Sequence, residues 1–105
     1  MSNSRLENIQ EMLKSEPEDS FLNYALALEY AKAGDIKKAI SLIEQLHARD
    51  ENYLGAYYQL GQFYEQNEQR DSAVTAYKKG IAIAELKKDR KSISELNEAL
   101  MMLED

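Results

Sequence analysis

Displaced by 34 residues, this chain falls on its own pattern: Tyr24, Leu26, Tyr30, Ala39 and Ala48 meet Tyr58, Leu60, Tyr64, Ala73 and Ala82. Softer matches share the offset, Ala27 with Gly61, Ile40 with Val74 and Ile43 with Tyr77. A fixed period of this length marks helix-turn-helix units that cannot bury their apolar faces alone and must stack on a neighbour. The expected fold is therefore all-α: an antiparallel helix-turn-helix solenoid of about six helices. Stacked units present a long concave surface, which suits binding better than reaction.

Composition narrows the function classes. The 105 residues make one small domain, able to bury about two-thirds of its unfolded surface. Zero Cys excludes a disulfide framework and any thiolate metal or nucleophile site, and fits a reducing compartment. Residues 1–10 are polar and carry Glu7, with no apolar core of a secretory signal. No run approaches the ~18 apolar residues of a membrane span. Thirteen Lys and Arg against nineteen Asp and Glu leave a net charge of −6, which argues against nucleic acid as a partner. A cytoplasmic, monomer-sized module without a cofactor is expected.

With Ser20 and Leu54 set as first positions, the second unit carries Tyr57, Leu60, Gly61, Tyr64, Ala73, Tyr77 and Gly80 at positions 4, 7, 8, 11, 20, 24 and 27. The first carries Leu26, Ala27, Tyr30, Gly34, Ala39 and Ile43, and departs at Asn23 and Leu46. This pattern of large and small residues resembles the tetratricopeptide repeat consensus, in which position 15 is Gly and position 32 is Pro. Pro17 fills the position-32 slot of a preceding partial unit, and Leu6, Ile9 and Met12 lie 34 residues before Ile40, Ile43 and Leu46. The resemblance covers residues 5–87 and implies that the solenoid is right-handed. The organisation expected is one domain: an N-terminal half repeat (1–19), repeats at 20–53 and 54–87, and a terminal capping helix (88–105).

The helices can be placed from their punctuation. A first helix is expected from Ser4 to Lys14, with Pro17 beyond its end, and a second from a cap at Ser20 or Asp19 to Ala33. Gly34-Asp35 reads as a left-handed stop followed by a fresh cap. The third helix then runs from Ile36 to Ala48, burying Ala39, Ile40, Ile43 and Leu46. A fourth covers Tyr53 to Gln66, with Asn67 as its left-handed residue. A fifth starts at Asp71 or just before, with Ala73, Val74, Tyr77, Gly80, Ile81 and Ala84 inward. The tail fits a shifted register in which Ile93, Leu96 and Leu100 take positions 4, 7 and 11, so a last helix caps the end. It starts either at Asp89 or at a Ser92-x-x-Glu95 capping box. The same stripe fits two heptads, so a seam with a second copy stays open as the alternative.

In the family, positions 2, 5, 9, 12 and 13 of the first helix in each repeat face the concave surface. The resemblance thus implies a partner-binding groove at Phe21, Tyr24, Leu28, Ala31 and Lys32, and at Gly55, Tyr58, Gln62, Glu65 and Gln66. Phe21, Tyr24, Leu28 and Tyr58 would form an apolar, aromatic patch suited to a protein partner, unless the first or last helix covers it. Some members clamp a C-terminal carboxylate with Lys, Asn and Arg. Here Tyr24, Leu28 and Gln59 stand at the corresponding positions, so an apolar or amphipathic peptide is the better fit.

Other chemistry lacks material. Glu44-x-x-His47 is half of a di-iron motif, which needs a second copy and further glutamates, and His47 is the only histidine. Its register with Leu13 and Ile81 makes it a partly buried helix residue instead. Lys78, Lys79, Lys87, Lys88, Arg90 and Lys91 form the basic stretch, either a solvated face or a dock for an acidic partner. The expectation is a non-enzymatic adaptor for a peptide or partner protein, with a homodimeric structural module as the alternative.

Overall fold

Three aspartates start helices, three left-handed residues end them, and small residues set how closely they cross. The computed structural model describes residues 4–104 and contains α1 (Ser4–Ser15), α2 (Ser20–Lys32), α3 (Ile36–Arg49), α4 (Gly55–Gln66), α5 (Arg70–Lys87) and α6 (Arg90–Glu104). Among the described residues there is no strand, and the fold is all-α. Positions 1–3 and 105, the outer ends of the expected half repeat and terminal segment, lie outside the described residues. Two compact units divide between Glu51 and Asn52, one holding α1 to α3 and the other α4 to α6.

Asp19 accepts a hydrogen bond from the Leu22 amide at 2.8 Å, and Asp35 one from the Lys38 amide at 3.1 Å. Each satisfies an amide that the first turn of a helix leaves without an internal partner. Because Asp19 caps α2, the Ser20 hydroxyl is available to donate to Asp50 at 2.6 Å, tying the start of α2 to the end of α3. The last helix starts from Asp89, not from the Ser92 capping box: Asp89 accepts from the Ser92 amide at 3.1 Å and from its hydroxyl at 2.9 Å. Those bonds, the amide first, hold the Asp89 carboxyl below its ordinary range.

The helix ends repeat one another. Gly34 (φ 92°), Glu68 (φ 58°) and Lys88 (φ 58°) are left-handed. The following amides, Asp35, Gln69 and Asp89, reach back to the carbonyls of Tyr30, Tyr64 and Ala84 at 2.8–3.0 Å. This is a Schellman closure, used three times. The sequence reading placed the second left-handed residue at Asn67, on the ground that Asn tolerates that region. Asn67 has φ −93° instead, because the closure geometry fixes the position and Glu68 is the residue 34 after Gly34. A left-handed glutamate carries the steric cost of its Cβ. Glu68→Gly is therefore expected to raise stability by about 1 kcal/mol, read as a higher thermal midpoint. A lower midpoint would show that Glu68 makes a compensating contact.

In the first unit, α1 lays its stripe on α2: Ile9, Ala25 and Leu26 form a buried cluster, with Leu6, Leu13, Tyr30 and Leu42 against it. Glu29 is buried beside it and takes the Arg5 guanidinium at 3.0 Å and Lys32 at 3.6 Å. Across α2 and α3, Ala27 and Ala39 are fully covered and let Ile40, Ile43 and Leu46 close the core. The departure from consensus at Asn23 has a local cause. Its side-chain amide donates to the carbonyls of Pro17 at 3.1 Å and Asp19 at 2.8 Å, closing the turn that leads into α2.

In the second unit, Tyr57, Leu60, Phe63 and Tyr64 of α4 pack with Ala73, Ala76, Tyr77, Ile83 and Ala84 of α5. Val74 and Ile81, expected inside, are only half-buried; Ile83 and Ala76 take the inward positions. Ile81 matches its counterpart His47, half-buried at the same place on α3, whereas Val74 is less covered than its counterpart Ile40. Gly80 faces two helices at once. A Cβ there would lie 2.8 Å from Tyr57 Cβ and 3.1 Å from Leu96 Cδ1, so the missing side chain lets α4 and α6 both press on α5. Leu96, 2% exposed, is the anchor of α6, and Arg70 donates to the Leu103 carbonyl at 2.6 Å at its far end.

Candidate functional site

Seating α6 on α5 leaves a cleft between α6 and α4. It is lined by Tyr58, Gln62 and Glu65 from α4 and by Glu95, Glu98, Ala99 and Met102 from α6, with a volume of about 450 Å³. A smaller recess of about 220 Å³ shares Tyr58 and Glu95 and is lined further by Leu54, Gly55, Ser92 and Leu96.

The floor depends on Tyr77. Gly61 of α4 makes room for its ring, since a Cβ at Gly61 would lie 2.5 Å from Tyr77 Cζ and 2.7 Å from Cδ1. The ring is fully covered, and its hydroxyl sits between two cleft residues: Gln62 Nε2 donates to it at 2.7 Å, and it donates to Glu65 Oε2. Burial, reinforced by the neighbouring Glu65 carboxylate, pushes the Tyr77 phenol well above its ordinary range, so it stays a proton donor. Tyr58 lies above it, ring centroids 6.2 Å apart and tilted by 51°, and remains 38% exposed.

Of the residues implied by the resemblance, Tyr58, Gln62 and Glu65 thus meet in one cleft. Gln66 is exposed on the same helix but does not line it. In the first unit, Phe21 is 64% exposed, Tyr24, Leu28 and Ala31 are half-buried, and Lys32 is exposed with its ammonium near Glu29. The helix α1 places its apolar stripe on Ala25, Leu26 and Tyr30. In the second unit α6 flanks the Tyr58 face and forms its wall. Sequence reasoning missed that wall. Its signal was the 3-and-4 spacing of Glu95, Glu98, Ala99 and Met102, one stripe beside the inward Ile93, Leu96 and Leu100. On α3, Glu44 is exposed and His47 half-buried.

The tetratricopeptide repeat family model matches residues 30–86. The crystal structure of a tetratricopeptide repeat domain protein from Salinibacter ruber is similar at 38% identity and TM-score 0.77, covering 82% of this chain and 96% of that one. A solution NMR structure of a tetratricopeptide repeat domain protein from the same organism gives 39% and 0.81, covering 85% and 90%. The solution structure of a protein from Bordetella parapertussis shares the fold at 24% identity and TM-score 0.84, covering 98% and 89%. No curated protein matches the chain. A family match over more than half of the length means that the chain belongs to the tetratricopeptide repeat family.

Proposed function

We propose that the chain is an adaptor that binds a peptide or partner protein. Its contact residues are Phe21, Tyr24, Leu28 and Lys32 on α2, and Tyr58, Gln62, Glu65 and Gln66 on α4. Tetratricopeptide repeats are protein-interaction modules and generally non-catalytic scaffolds. The observation that carries the reading is aromatic side chain left outside the core: Phe21 at 64% and Tyr58 at 38% exposure. Tyr and Phe supply rigid apolar area at low entropic cost, which is what partner contacts exploit.

The same reading treats residues 1–19 as a half repeat, 20–53 and 54–87 as repeats and 88–105 as a cap, in one cytoplasmic domain. Among the described residues no helix is long and apolar enough to cross a membrane, and the net charge of −6 disfavours nucleic acid. A homodimeric module with no external ligand is the second reading. It draws on the exposure of Leu86, Met101 and Met102.

The test is capture from native lysate on immobilised protein, wild type beside Tyr24→Ala/Tyr58→Ala, after melting shows both folded. A protein retained by wild type and lost by the variant is expected. Identical capture by both, or capture of its own copies alone, overturns the adaptor reading.

A further inference from the structure

The cleft between α4 and α6 is not merely apolar. Its lining carries three carboxylates, Glu65, Glu95 and Glu98, and no lysine or arginine. The aromatic and apolar part consists of Tyr58, Ala99 and Met102. Three carboxylates lining one recess favour a cation over an anion there. One of them is fixed beforehand: the Tyr77 hydroxyl, itself held by Gln62, donates to Glu65. A carboxylate already oriented loses less entropy when it pairs. The exposed Tyr58 ring beside Glu95 adds a surface over which a cation is attracted to the π face.

Resting on the reading that the α4 face carries a partner, we propose that this cleft takes a basic amphipathic peptide segment. An arginine would lie among Glu65, Glu95 and Glu98, and an adjoining apolar side chain on Tyr58, Ala99 and Met102. Arginine suits it better than lysine, because a planar guanidinium can pair with a carboxylate through two donors while stacking on an aromatic ring. Nucleic acid and acidic segments are repelled by the same lining. A second copy offers a competing occupant, since Leu86-Lys87-Lys88 leads to Arg90 and Lys91 and Leu86 is exposed.

The test uses two short fluorescein-labelled synthetic peptides with the same leucines and alanines, one with arginines at the polar positions and one with glutamates. Binding is followed by anisotropy at physiological ionic strength, which screens diffuse attraction. The arginine peptide is expected to bind and the glutamate peptide to fail. Glu65→Gln/Glu95→Gln/Glu98→Gln should weaken the arginine peptide by about tenfold or more, whereas a charge-matched control, Glu16→Gln/Glu18→Gln/Glu51→Gln, should change it less than about twofold. Amide chemical shifts should move on α4 and α6. Equal weakening by both sets would mean that the net charge alone attracts the peptide, and overturns the proposal. So does failure of the arginine peptide to bind. Self-association that the cleft variant disperses would instead make the second copy the occupant, and also overturns it. If affinity falls in Tyr24→Ala/Tyr58→Ala but not in the carboxylate variant, partner binding stands and the cationic pocket does not.

Discussion

Gly61→Ala is expected to destabilise the chain by about 1–3 kcal/mol, although alanine is favoured over glycine by about 1 kcal/mol inside an ordinary helix. The sign is decided by Tyr77. The new methyl would lie 2.5 Å from Tyr77 Cζ, and the ring it meets is fully buried, so it cannot swing aside into solvent. The first unit shows how the same crossing works with other sizes: Ala27 and Ile43 stand where the second unit has Gly61 and Tyr77, and both are fully covered. One unit joins a methyl to a medium side chain, the other no side chain to a large one. The double variant Gly61→Ala/Tyr77→Ile recreates the first combination and should melt above Gly61→Ala alone. A Gly61→Ala protein as stable as wild type would show that α4 and α5 can separate without loss, and that the pairing of sizes is not what holds them.

The sizes at these crossings were legible in the sequence because they repeat at one offset. Ala27, Ala39, Gly61 and Ala73 could be assigned to the helix contacts from the family resemblance that the period carries, and Ile40, Ile43, Leu46, Tyr77 and Leu96 to the interior from their spacing. Periodicity also misleads, since Ala48 and Ala82 match at the same offset and both are exposed. A small residue can recur simply because a helix surface tolerates it. The exchange at Asn23 and Leu46 is clearer with coordinates. In the second unit the same positions hold Tyr57 and Gly80, which approach closely; in the first, the large residue has changed helices, and both positions are still buried. The candidate site was half legible. The α4 residues came from the family pattern, but the opposing wall came from α6, whose register is shifted by two and which the sequence reading treats only as a cap, although Glu98 and Met102 take positions 9 and 13 in that register. Nor does the sequence mark the Tyr77 hydroxyl as the group joining Gln62 and Glu65. That link depends on how deeply the ring enters beside Gly61, a packing distance rather than a spacing.

Tyr77→Ala should have the largest effect of any single truncation here, about 3–5 kcal/mol, a large part of the 5–15 kcal/mol roughly expected for a whole domain. It leaves a cavity at a fully covered position between α4 and α5 and removes the hydroxyl from Gln62 and Glu65. Tyr77→Phe separates the two effects. The ring stays, and the cost should fall to about 1 kcal/mol, because Gln62 and Glu65 are open enough to find water. The hydroxyl has its own signature in alkali. In the unfolded chain it ionises near pH 10.0, while burial first and the Glu65 carboxylate second keep it neutral well above that in the folded protein. A group whose folded pKa is raised contributes its full share below the unfolded value and loses it as pH climbs toward the folded one. Wild type should therefore lose stability steeply above pH 10, and Tyr77→Phe less steeply, in denaturant melts across that range. Identical alkaline slopes would mean that the phenol is not confined as described. If the Phe variant also binds the arginine peptide as tightly as wild type, the cleft carboxylates need no fixing by Tyr77, and its role is confined to packing.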